Sequence, residues 1–215
     1  MRAGLPRRPD VLGEGVATDA LARLRDGNKR FVAGVRSLDA LLSQRPGAFT
    51  GNQQPFAIVL GCSDSRVPAE IVFDQGLGDL FVIRVAGNIV APSQVGSVEF
   101  AAAQFGTGLV VVLGHTQCGA VLATLDEVRR GTTSSPNLRD IVDRIRPSIE
   151  TLITAGLTDD TRLVREAVRA NVRASVHHLR HGSAILEDLI GQRRLRVVGA
   201  EYSLESGEVD FFDGA

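Results

Sequence analysis

Two stretches decide how this chain folds: FAIVLGCSDSR, from Phe56 to Arg66, and LVVVLGHTQCG, from Leu109 to Gly119. Each opens on an unbroken run of apolar, largely β-branched residues that stops at a glycine, Gly61 or Gly114. A run without polar alternation predicts a strand covered on both faces, as in a parallel sheet. Each stretch then turns polar and carries a cysteine: Cys62-Ser63-Asp64-Ser65-Arg66 in one, His115-Thr116-Gln117-Cys118 in the other. Parallel α/β sheets place their sites just beyond the strand C-termini. If the two strands are neighbours, two thiols, an imidazole and a carboxylate share a small volume. Cys62, Asp64, His115 and Cys118 together form a tetrahedral zinc donor set. The other readings of the two cysteines are plain core packing and a Cys62–Cys118 disulfide.

Outward from these strands the same grammar repeats. LFVIRVAG (Leu80–Gly87) and LRVVGA (Leu195–Ala200) read as two more buried strands, and EVDFF, after the turn at Ser206 and Gly207, as an edge strand. Helical periodicity fills the gaps, over residues 93–106, about 117–130, 137–155, 160–181 and 183–190. Pro147 is expected to kink or split the third of these, and Gly182 to stop the fourth. A further helix is expected to start after Thr18 or Asp19, either of which can cap it. Its apolar positions are Leu21, Leu24, Phe31 and Val35, and a flexible arm, residues 1 to 16, precedes it. Strand–helix alternation over 17–215 predicts one α/β domain, a central, mostly parallel sheet flanked by helices, with a C-terminal edge strand and an N-terminal helical arm.

Composition narrows the function. The chain has 215 residues, 24 basic and 25 acidic, with no Trp and one Tyr. Balanced charge gives no electrostatic case for nucleic acid, and bases would find few stacking platforms. The basic start, MRAGLPRRPDVLGEGV, is followed by no apolar run, so no secretory signal is expected. No window reaches the length of a membrane span. Cytoplasmic location is the expectation, and the cysteines then read as thiols or ligands. His177 and His181 are four apart on a helix, but no H-E-x-x-H accompanies them.

Taken together, CSDSRVP (62–68), AEIVFDQGLGDLF (69–81), RVAGN (84–88) and GHTQCGA (114–120) resemble the β-class carbonic anhydrases over about residues 20–205. The resemblance implies zinc-dependent, reversible hydration of carbon dioxide to bicarbonate and a proton, by attack of zinc-activated hydroxide. The family's C-x-D-x-R falls on Cys62, Asp64 and Arg66, and its H-x-x-C on His115 and Cys118. Cys62, His115 and Cys118 would be the permanent ligands of one Zn²⁺ per subunit. Asp64 would be a switchable fourth ligand, and Arg66 its partner, so that the Asp64–Arg66 pair orients the water. Substrate would sit in an apolar cleft at a dimer interface lined by Phe81, Ala86, Gly87, Phe100 and Gly119. Gln53, or its neighbour Gln54, would reach the substrate. The implied partners are carbon dioxide, bicarbonate and further copies of the chain, as a homodimer or homotetramer, with neither nucleic acid nor membrane. Two rivals stay open: a carbonyl sulfide or carbon disulfide hydrolase on the same scaffold, and a non-catalytic zinc- or bicarbonate-binding protein.

Overall fold

The computed structural model describes residues 14–38, 53–131, 135–157 and 159–215. Its elements in chain order are α1 (Glu14–Val32), β1 (Ala57–Gly61), α2 (Ala69–Val72), β2 (Leu80–Arg84), a 3₁₀ turn (Ala86–Asn88), α3 (Pro92–Phe105), β3 (Leu109–His115), α4 (Gly119–Arg130), α5 (Pro136–Thr154), α6 (Asp160–His181), α7 (Ala184–Gly191), β4 (Arg196–Tyr202) and β5 (Val209–Asp213). The four apolar runs are strands β1 to β4, and the tail supplies β5.

The strands lie side by side in the order β2-β1-β3-β4-β5. All pairings are parallel except β4 with β5, which is antiparallel. The two deciding strands are therefore neighbours, with Gly61 opposite Leu113. Because side chains alternate along a strand, each central strand feeds two cores. Val59, Val111 and Val198 pack with Leu21 and Leu24 of α1 and Val72 and Phe73 at α2. Ile58, Val110 and Val197 pack with Val98 of α3, Val172 and Val176 of α6 and Leu186 of α7. A third cluster closes over the strand C-termini: Val121 of α4, Ile145 and Ile149 of α5, and Leu163 and Val168 of α6, with Cys62 and Cys118 set into it.

Helix ends follow local chemistry. The Asp159 carboxylate accepts from the Arg162 amide to cap α6, and the Ser183 hydroxyl accepts from the Leu186 amide to cap α7. Two expectations need correction. The N-terminal helix begins at Glu14, ahead of Thr18 and Asp19. Its buried stripe of Ala17, Ala20, Leu21 and Leu24 extends one turn further upstream than the pattern begun at Leu21, and that packing carries the helix past the capping residues. The arm expected over residues 1 to 16 lies outside the described residues as far as 13, and 14 to 16 are helical. Second, α5 is not split: it runs through Pro147 from Pro136 to Thr154. Val142, Ile145 and Ile149, fully buried on both sides of the proline, hold the helix together. Pro147 and Asp143, whose carbonyl the proline cannot serve, lie on its exposed side, where water can take the missing bond.

Asn28 of α1 joins distant parts of the chain. Its buried amide donates to the carbonyls of Val72 (3.1 Å) and Gly207 (2.9 Å) and accepts from the Val209 amide (2.9 Å).

Candidate metal centre

The end of β1, the end of β3 and the start of α4 meet under the third core cluster. Cys62 follows the last residue of β1, His115 is the last residue of β3, and Cys118 is the N-cap of α4. Gln117 turns the chain between the last two with φ of 55°. One ligand atom from each of Cys62, His115 and Cys118 lies within 4.8 Å of the others, and all three residues are buried.

The geometry suits a tetrahedral cation. The two sulfurs are 4.0 Å apart. That is about twice a disulfide bond, so the disulfide reading fails, and both cysteines are free. Two Zn–S bonds of about 2.3 Å at a tetrahedral angle would hold sulfurs about 3.8 Å apart. His115 Nδ1 lies 2.9 Å from the Thr116 carbonyl, which can only accept, so Nδ1 carries the proton. Nε2 therefore presents its lone pair. It is fully buried and has no hydrogen-bond partner among the described residues, which is the state of a nitrogen awaiting a metal.

Electrostatics agree. The hydrogen bond with Cys118 is the largest influence on Cys62 and lowers its pKa to about 4; burial opposes this, while His115 and the Gly87 amide add to it. The same sulfur contact and burial push the Cys118 thiol up. The pair is thus ready to share one thiolate before any metal binds. Burial works to lower the His115 pKa, but the neighbouring Cys62 sulfur outweighs it and raises it.

Asp64 stands beside this set, turned away from it. Arg66 grips its carboxylate as a fork, Nε to Oδ1 at 2.9 Å and Nη2 to Oδ2 at 2.8 Å, and the Arg66 amide adds a third bond to Oδ1 at 3.0 Å. The guanidinium holds Asp64 well below the usual carboxylate range. Oδ2 remains 3.8 Å from His115 Nε2. The residue is poised at the rim of the three-ligand cluster, within reach of whatever occupies a fourth position.

Three supports carried no signal in the sequence reading. Arg84, inside the RVAGN segment, donates from Nε to the Cys62 carbonyl (3.0 Å) and from Nη2 to the Asp64 carbonyl (2.6 Å), clamping the loop that holds both. The Gly87 amide donates to Cys62 Sγ at 3.3 Å. Thr116, whose carbonyl fixes His115, is itself fixed by β4: its amide donates to the Tyr202 carbonyl and its hydroxyl accepts from the Leu204 amide. An arginine at a strand end and a glycine after it are visible in the sequence; their carbonyl and sulfur partners are not.

The expected cleft residues are more scattered. Phe81 is half-buried on β2, and its ring packs against Phe100 and Phe105 at centroid distances of 6.3 and 6.1 Å. Phe100 is 53% exposed. Ala86 is half-buried, Gly87 buried, and Gly119, Gln53 and Gln54 exposed. Of these positions, Phe100, Gly119, Gln53 and Gln54 are open to solvent in the single chain. Among the described residues, no helix is long and apolar enough to cross a membrane.

Comparison with known proteins gives a consistent answer. The family model described as carbonic anhydrase matches residues 57–209. A carbonic anhydrase of Mycolicibacterium smegmatis is 42% identical over 187 residues, covering 87% of this chain and 89% of that protein. Carbonic anhydrase 2 of Mycobacterium tuberculosis is 39% identical over 184 residues, covering 86% and 87%. Among solved structures, the β-carbonic anhydrase CafA of Aspergillus fumigatus superposes with a TM-score of 0.72 at 26% identity, covering 92% of this chain and 91% of that one.

Proposed function

The chain belongs to the carbonic anhydrases of the β class, and on that premise we propose that it interconverts carbon dioxide and bicarbonate with one zinc ion per subunit held by Cys62, His115 and Cys118. The observation that supports this most is the juxtaposition of that buried cluster with the Asp64–Arg66 fork, whose carboxylate stops 3.8 Å from His115 Nε2. A purely structural zinc site keeps four fixed ligands and would need no arginine to hold one of them back.

When bound, zinc supplies a water whose pKa falls from about 15.7 toward about 7, and so a nucleophile at neutral pH. The chain's residues do the rest. Cys62 and Cys118 bind as thiolates and offset the cation's charge, which leaves a weaker Lewis acid than three neutral histidines would and favours activity at alkaline pH. Neutral His115 completes the set through Nε2. The Asp64 carboxylate accepts a hydrogen bond from the attacking oxygen and turns its lone pair toward carbon dioxide. Arg66 keeps that carboxylate ionised and off the fourth position, because a bidentate fork satisfies both of its oxygens. Released from Arg66, Asp64 would take the position itself and close the site. The Gln53 or Gln54 amide would donate to an oxygen of the bicarbonate formed. Phe81, Ala86, Gly87, Phe100 and Gly119 would complete an apolar cleft once a second copy of the chain covers the open side, in a homodimer or a pair of them. Two free, buried cysteines suit a reducing compartment, and we place the protein in the cytoplasm.

Stopped-flow hydration of carbon dioxide, with zinc measured on the same sample, tests the reading. One zinc per chain and turnover that disappears on chelation are expected. Parallel assays with carbonyl sulfide and carbon disulfide should be slower by orders of magnitude. A fully zinc-loaded sample inert toward carbon dioxide would overturn the proposal.

A further inference from the structure

Asn171 and Ser175 are one turn apart on α6 and face the same way, both buried, at 2% and 5% exposure. Serine on a helix usually bonds back to its own backbone, but this pair reaches out of the helix. Asn171 Nδ2 donates to the Gly87 carbonyl at 2.8 Å, and Ser175 Oγ donates to the next carbonyl, that of Asn88, at 3.0 Å. The 3₁₀ turn they grip has Gly87 and Asn88 both in the left-handed region, with φ of 71° and 43°, which glycine and asparagine enter more readily than other residues. Nor does the turn leave room for any other residue at its centre, because a Cβ on Gly87 would lie 2.8 Å from Ile145 Cδ1 and 3.1 Å from Ala120 Cβ. In this turn the Gly87 amide points at Cys62 Sγ, 3.3 Å away.

We propose that Asn171, seconded by Ser175, is a positioning residue for the metal centre: it fixes the Gly87 amide on the Cys62 sulfur and so sets how strongly that sulfur donates to the bound cation. The inference rests on the zinc reading above. Two thiolates give the metal more electron density than neutral imidazoles would. A hydrogen bond to one sulfur draws part of that density back and keeps the cation acidic enough to activate water. Supports of this outer kind commonly alter metal affinity or activity by about 10–100-fold. Asn171 is 84 positions from Gly87 in the chain and bonds to its carbonyl, so its effect travels through the turn.

Cobalt(II) substituted for zinc in the whole protein makes the sulfur's donation visible as a sulfur-to-cobalt charge-transfer band. In Asn171→Ala the band should move to longer wavelength because the sulfur loses its hydrogen bond, and cobalt affinity, measured by competition with a chelator, should fall about tenfold because the turn no longer holds that sulfur in place. Ser175→Ala should shift both in the same direction and by less. Asn171 and Ser175 also line a cavity of about 180 Å³ that opens to solvent, so water could replace a truncated amide and bond to the Gly87 carbonyl. Asn171→Leu keeps the volume without the donor and closes that route; it should show the full shift, and it serves equally if the alanine variant does not fold. A band and affinity unchanged in folded Asn171→Leu refute the inference while leaving the zinc reading intact. A wild-type chain that takes up no cobalt refutes both.

Discussion

Gly114→Ala isolates a requirement that the ligand list hides. Gly114 sits one residue before His115, and a Cβ there would lie 2.5 Å from Val172 Cγ2 and 3.4 Å from Val168 Cγ1. Carbon atoms in contact rest at about 3.5–4.0 Å, so α6 would have to retreat from the sheet by about 1 Å. Val172 cannot swing aside: it is fully buried, and a β-branched side chain on a helix is largely confined to one rotamer. Overpacking of this kind costs about 1–3 kcal/mol. At about 2–4 °C per kcal/mol for a domain of this length, Tm should fall by about 2–12 °C. Gly61, at the matching end of β1, is the control, since its Cβ would meet only the Leu113 carbonyl, at 3.9 Å. Thermal unfolding followed by circular dichroism, at one protein concentration and full metal load, should place Gly61→Ala beside wild type and Gly114→Ala clearly below it. Should the two variants melt together, close approach of α6 is not what keeps residue 114 a glycine.

Three further outcomes follow from the site. Cys118→Ser and His115→Ala should each lose most bound zinc, read by elemental analysis of the purified protein; retention of one zinc per chain would remove these residues from the ligand set. Arg66→Ala should slow turnover about 10–100-fold and add a carboxylate oxygen to the first shell seen by X-ray absorption, because Asp64 is no longer held back; undiminished activity would mean that the fork does not keep the site open. Glu201, buried against Arg169 with Nε–Oε2 at 3.0 Å, has its pKa raised, chiefly by burial. A carboxyl raised on folding binds its proton more tightly in the native state, so it subtracts stability as pH climbs through its ordinary value. Relative to wild type, Glu201→Gln should therefore gain stability between pH 4 and pH 8 in urea unfolding, and a difference that shrinks with pH would contradict that sign.

The sheet was legible because its evidence is local. Runs such as LVVVLG declare a strand buried on both faces whatever surrounds them, and the polar segments beyond Gly61 and Gly114 mark where a site can stand. Cys62, His115 and Cys118 could be paired from the sequence because adjacent parallel strands bring their ends together. What escaped were bonds whose second partner is backbone. Arg84 holds the Cys62 and Asp64 carbonyls, and Thr116 orients His115 with its carbonyl; every residue has such a group, so no residue type signals it. Asn171 escaped for a second reason: it lies on a different helix, 84 residues from the turn it grips. Helix ends were legible where local chemistry marks them, as at Gly182 after α6 and Gly131 after α4. Asp159 and Ser183 cap two starts, whereas the start of α1 is set by the apolar surface beneath Ala17, which a cap rule does not weigh.

The three bonds made by Asn28 carry a consequence for synthesis on the ribosome. One of its partners, the Val209 amide, is 181 residues further along the chain. At about 5–20 residues per second, that partner emerges on the order of 10–40 s after Asn28 itself. Through that interval α1 has no finished seat, and the apolar stripe of Leu21 and Leu24 is left to solvent or to a chaperone. Though made before the strands it packs on, α1 is thus among the last elements to be locked, and premature release of the nascent chain would free a protein in which this helix still exposes oily surface.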